Sequence, residues 1–144
     1  DRKPFHKAVC LVASMIEKQY RDGSFWVSSE EGQNLYDKKK QPTRGVKVIY
    51  FHGTNDRVVP YYGGSRGDVP HVSAQETAFG FAKAFGYSGP RIADTDGKAV
   101  KPGIFAYDYT EVEFTHYKLV GEGHGIGRYR EFVDRAIREM VFDD

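Results

Sequence analysis

Three stretches of strand length, residues 8–14, 46–51 and 111–120, are separated by segments far too long for hairpin loops. Strands joined by long crossovers pair in parallel and carry helices over the sheet. The first stretch, Ala8-Val9-Cys10-Leu11-Val12-Ala13-Ser14, is apolar almost throughout, which fits a strand covered on both faces. The second holds the β-branched residues Val46, Val48 and Ile49. The third mixes polar and apolar residues, as a strand with one wet side does. The fold class this predicts is α/β, with parallel strands and flanking helices, in a single domain over residues 1–144.

Two helices follow from local signals. Ser73-Ala74-Gln75-Glu76 is a capping box. It opens a helix whose stripe is Ala78, Phe81, Ala82 and Phe85, with Gly86 as the stop. Phe132, Val133, Ala136, Ile137 and Met140 form the stripe of a final helix over 129–142. Residues 17–45 are polar and broken by Gly23, Gly32, Pro42 and Gly45; they read as an excursion with a short helix near 30–39. Gly89-Pro90, Asp96-Gly97 and Pro102-Gly103 mark 87–110 as turns.

Composition removes several classes of function. A net charge of +1 gives no electrostatic case for nucleic acid or an acidic membrane surface. Lys38-Lys39-Lys40 reads as a solvated loop. Cys10 is the sole cysteine, so no internal disulfide can form. No stretch approaches the ~18 apolar residues of a membrane span, and residues 1–4 do not resemble a signal peptide. Aromatic residues make up 15% of the chain; they fit a half-buried sheet or the wall of an apolar ligand site.

Asp56 lies just past the second strand and His124 just past the third. Ligands of open parallel sheets gather at those carboxyl ends. A serine hydroxyl attacks only when an imidazole takes its proton, and a carboxylate holds that imidazole's tautomer. Asp56 is the candidate carboxylate and His124 the candidate imidazole, with Gly121, Gly123 and Gly125 letting the second loop turn sharply. Asn55-Asp56 is also good turn chemistry, and His124 also fits a plain glycine-rich loop. His52 reads as structural, as do His6, His71 and His116. A metal site from His52, Asp56 and His124 lacks the tight spacing of zinc motifs, so no metal or other cofactor is expected.

A nucleophile is harder to find. Gly63-Gly64-Ser65-Arg66-Gly67 matches G-x-S-x-G, but that elbow joins a buried strand directly to a helix. Here Pro60 interrupts the preceding segment and the next helix starts only near Ser73. Ser14 has no flanking glycines, and Ser24, Ser28 and Ser29 sit in the polar excursion.

His52-Gly53-Thr54-Asn55-Asp56-Arg57-Val58-Val59-Pro60-Tyr61-Tyr62-Gly63-Gly64, then Ser73-Ala74-Gln75-Glu76-Thr77, then Gly121-Glu122-Gly123-His124 resemble the C-terminal half of the polyhydroxybutyrate depolymerase and feruloyl esterase group of α/β-hydrolases. The resemblance runs over about residues 5–142. It implies a serine esterase working through an acyl-enzyme on an ester substrate, with Asp56 as triad acid and His124 as triad base. It implies that the three strands are the last of a larger sheet. It further implies that a missing segment or a second chain carries G-x-S-x-G and the oxyanion hole and covers residues 8–14. A secreted or periplasmic parent is slightly favoured. On this reading Tyr61 and Tyr62 either wall the acyl or aryl site or pack as ordinary loop residues. The group often has Trp-Pro shortly after the histidine, where this chain has Gly125-Ile126-Gly127. The alternatives are a non-catalytic α/β binding module derived from a hydrolase, and a receiver-like domain with Asp56 as phospho-acceptor. The second needs an acidic pair after the first strand, where only Glu17 is found.

Overall fold

The computed structural model describes residues 6–142. In chain order the elements are β1 (Lys7–Leu11), β2 (Tyr20–Arg21), β3 (Ser24–Val27), β4 (Lys38–Lys39), β5 (Lys47–Gly53), β6 (Gly64–Arg66), β7 (Val69–His71), α1 (Ala74–Ala84), β8 (Lys98–Lys101), β9 (Ile104–Tyr109), β10 (Phe114–Leu119) and α2 (Arg130–Phe142). The main sheet has five strands in the order β1-β5-β10-β9-β8. The three expected strands are neighbours, and β5 pairs in parallel with both β1 and β10.

The expectation of a purely parallel arrangement needs correction, because β10 pairs antiparallel with β9 and β9 with β8. That added hairpin comes from the region read as turns. Pro102 and Gly103 form its two-residue loop, with Lys101 opposite Ile104 and Gly103 at φ +80°. Proline presets the first turn position and glycine accepts the positive φ at the second. The chain then reverses into β10 through a short 3-10 turn, Thr110–Val112, and Glu113 in the left-handed region.

A second correction concerns residues 30–39, which form no helix. Ser28 Oγ accepts from the backbone of Leu35 and Tyr36, and the Asp37 carboxylate binds the backbone and hydroxyl of Ser29. These side chain–backbone bonds occupy groups that a helix would need. The excursion instead holds the small sheet β2-β3-β4.

Strand alternation divides the core into two layers. Val48 and Tyr50 face α1, where Ala74, Ala78 and Ala82 are fully buried. Ile49 and Phe51 face α2 and meet Val133 and Met140. Small residues at four-residue spacing let α1 lie close to the sheet. Its start is fixed by the Ser73 half of the capping box, with Ser73 Oγ accepting from the Glu76 amide at 3.0 Å, while the Glu76 carboxylate pairs with Arg91 at 3.0 Å.

Candidate active site

The ends of β5 and β10 leave the sheet side by side, with Leu119 in register with Gly53. The two tips are sewn together. Thr54 N donates to Leu119 O at 3.0 Å, Asn55 N to Glu122 O at 2.9 Å, and Gly121 N to Thr54 Oγ1 at 2.8 Å. Gly53 makes this approach possible, because a Cβ there would run into the carbonyl of Glu122. The Glu122 carboxylate braces the second tip by accepting from Gly123 N at 3.0 Å and Arg128 N at 2.8 Å.

The sewn tips bring the two sequence candidates into contact. His124 Nδ1 lies 3.0 Å from Asp56 Oδ2 and 3.2 Å from Oδ1. The Asp56 side chain is 0% exposed, and the His124 side chain is 43% exposed. Asp56 Oδ1 also accepts from the amides of Val58 and Val59, each at 2.8 Å. The turn role and the acid role thus belong to one carboxylate. Burial pushes its pKa up, but the bonds from Val59, His124 and Val58 outweigh that and hold it below the usual carboxylate range. As an anion Asp56 only accepts, so His124 donates from Nδ1 and its Nε2 is left as an acceptor. Nε2 has no hydrogen-bond partner among the described residues. A ring oriented by a buried anion, with a free basic nitrogen at the surface, is arranged to take a proton from a hydroxyl that comes within hydrogen-bond reach of it.

His52 takes part in the site in a way its position in the sequence did not suggest. It is fully buried. Its Nε2 is 2.9 Å from Val59 O and 3.4 Å from Asp56 Oδ2, and its Nδ1 is 2.6 Å from Tyr50 Oη. Burial lowers its pKa. The available signal was its spacing, four residues before Asp56 on a strand end, but strand periodicity alone places it in the core.

Tyr61 does not wall a ligand site: it is 1% exposed, a correction to that expectation. Its hydroxyl accepts from Gln75 Nε2 at 2.6 Å and donates to His116 Nε2 at 2.9 Å, while His116 Nδ1 donates to the Tyr50 carbonyl at 2.9 Å. Two polar partners in the core hold this phenol inside. His116 is pushed down to about 3 by burial. Tyr62 remains at the surface, 64% exposed, with its ring edge-on to Tyr61.

Ser65 sits in β6, exposed and opposite Pro70 in a two-stranded hairpin. It joins no strand to a helix and lacks the elbow geometry. Ser14, just past β1, has a buried Oγ with no hydrogen-bond partner. No described serine hydroxyl bonds His124. Among the described residues no group of three or more His, Cys, Asp or Glu side chains is arranged to hold a metal, and no helix is long and apolar enough to cross a membrane. Comparison with known proteins returned no matching family model, no matching curated protein and no matching solved structure.

Proposed function

We propose that this chain supplies the acid and base of a serine-type carboxylic-ester hydrolase, with the nucleophilic hydroxyl coming from another segment or a second chain. The observation that carries the reading is the Asp56–His124 pair: a buried carboxylate 3.0 Å from Nδ1 of a half-exposed imidazole, on adjacent parallel strand tips. Asp56 fixes the tautomer and stabilises the imidazolium; His124 Nε2 takes the serine proton and returns it to the leaving alcohol. Tyr62, exposed beside the first tip, is the remaining aromatic candidate for contact with the acyl or aryl group.

The free edge of the sheet supports an external contributor. β1 pairs only with β5 among the described strands. The bonds Lys47 N to His6 O and Val12 N to Phe51 O put the even-numbered residues toward β5, so Val9 and Leu11 present their backbone groups outward. Beside this edge runs an apolar groove of about 610 Å³, lined by Ala8, Cys10, Phe25, Trp26, Phe81 and Phe114 among others. An apolar strand laid on β1 would satisfy the open backbone and fill the groove.

The deciding experiment is fluorophosphonate labelling of the assembled protein, together with p-nitrophenyl ester turnover by the His124→Ala form. Labelling of a serine outside this chain and a loss of turnover of about 10³-fold or more are expected. No labelling, with turnover unchanged in His124→Ala, removes the hydrolase reading and leaves the binding module.

A further inference from the structure

His52 makes contacts that a packing residue does not need. Val59 O can only accept a hydrogen bond, so the proton of the His52 ring sits on Nε2, which lies 2.9 Å away. Nδ1 is then an acceptor, and the Tyr50 phenol 2.6 Å from it must be the donor. The same Nε2–H lies 3.4 Å from Asp56 Oδ2, the oxygen closest to His124. The carboxylate is therefore flanked by two imidazoles, one buried and one half-exposed, and by the amides of Val58 and Val59.

We propose that His52 is a positioning residue for the acid–base pair: its Nε2–H donates to Val59 O and pins the 56–59 turn to the end of β5, so that the amides of Val58 and Val59 hold the Asp56 carboxylate toward His124. Two features suit it to the task. Burial opposes protonation of His52, so it adds no second positive charge to compete with the one that develops on His124. The Tyr50 phenol is itself buried, which keeps it un-ionised and a constant donor, so the His52 tautomer is fixed from both sides. Without the Nε2 donor, the Val59 carbonyl would be left unpaired and Oδ2 would keep only the His124 contact.

The titratable groups facing the carboxylate are His52 from β5 and His124 from the loop after β10, with Tyr50 behind His52. The proposal rests on the reading of Asp56–His124 as an acid–base pair, but its test needs no turnover. It uses the 144-residue chain labelled with ¹⁵N-histidine and ¹³C-aspartate. At neutral pH His52 should appear as the neutral Nε2–H tautomer; a protonated Nδ1, alone or with Nε2, overturns the proposal even if no variant folds. His52→Phe keeps the ring but removes the donor, and should raise the Asp56 titration midpoint by about one pH unit, roughly tenfold in proton affinity. His52→Gln, whose amide reaches the same place, should stay within about 0.3 unit of the unaltered chain. An Asp56 midpoint unmoved in His52→Phe refutes the positioning role. Absence of fluorophosphonate labelling in the assembled protein counts against the esterase reading alone.

Discussion

The sharpest test of the sewn tips is a single methyl group at Gly53. In Gly53→Ala the new Cβ would lie 2.7 Å from the carbonyl carbon of Glu122 and 2.8 Å from the carbonyl oxygen of Gly123, closer still to the Glu122 oxygen. These are backbone atoms, so no side chain can swing aside. Restoring ordinary contact with the Glu122 oxygen requires the 121–123 loop to retreat by about 1.2 Å. That would stretch the Asn55 N–Glu122 O bond from 2.9 Å to about 4.1 Å, past the useful range, with Thr54 N–Leu119 O affected in turn. Two weakened hydrogen bonds cost about 1 kcal/mol each, and residual overpacking costs about 1–3 kcal/mol more. The stiffer unfolded chain returns about 0.4–1 kcal/mol. The expected net loss is about 2–4.5 kcal/mol, or about 7–15 °C in Tm for a chain of this size. Gly123→Ala is the internal control. Its Cβ would meet nothing within 4 Å and its φ is not in the left-handed region, so its stability should stay within about 0.5 kcal/mol of the unaltered protein. Urea unfolding of both variants makes the comparison. Equal midpoints for Gly53→Ala and Gly123→Ala would refute the claim that close approach at Gly53 holds the tips together.

The buried histidines set a second expectation, in acid. Burial first and foremost drives His116 down to about 3, so between pH 6.5 and 3 the unfolded chain binds a proton that the native chain refuses. Stability should therefore fall with falling pH across that window, by up to about 1.4 kcal/mol per unit for this group; urea midpoints at pH 7, 5 and 4 measure it, and a flat profile contradicts the buried neutral ring. Ser65→Ala should leave fluorophosphonate labelling and ester turnover of the assembled protein unchanged and stability within about 0.5 kcal/mol, since Ser65 is exposed in its hairpin; lost labelling would reinstate it as nucleophile.

The parts of the fold legible in the sequence are those where one local signal dominates. The Ser73 capping box and the stripe behind it gave α1 to within a residue of its ends. Runs of strand length, apolar for β1 and β5 and mixed for β10, with long crossovers between them, gave these three strands and their parallel pairing. The β8–β9 hairpin escaped because every residue of β8 is exposed and the strands flank a Pro-Gly turn, so turn chemistry masked the pairing. Residues 30–39 misled in the opposite direction: their helix-compatible composition lost to hydroxyl and carboxylate bonds from Ser28, Ser29 and Asp37, which no periodicity reveals. At the site, the order of Asp56 and His124 on successive strand ends was enough to pair them. The roles of Gly53 and Thr54 were not legible, because they depend on which strand lies next to β5; the contacts of His52 depend on how the 56–59 turn folds back onto the strand end. Tyr61 shows the same limit: an aromatic in a loop motif looks solvent-facing until Gln75 and His116 are seen to claim its hydroxyl.

Because the two strand tips are fastened to one another, the spacing of the carboxylate and the ring does not depend on the length of chain that separates them. The 67 residues between Asp56 and His124 include a surface hairpin and a helix, yet the bonds that fasten the tips join residues 54–55 directly to residues 119–122. Lineages carrying this clasp would be free to lengthen, shorten or exchange the β6–β7 loop, and so reshape whatever surrounds the pair, while the distance that matters for proton transfer stays put.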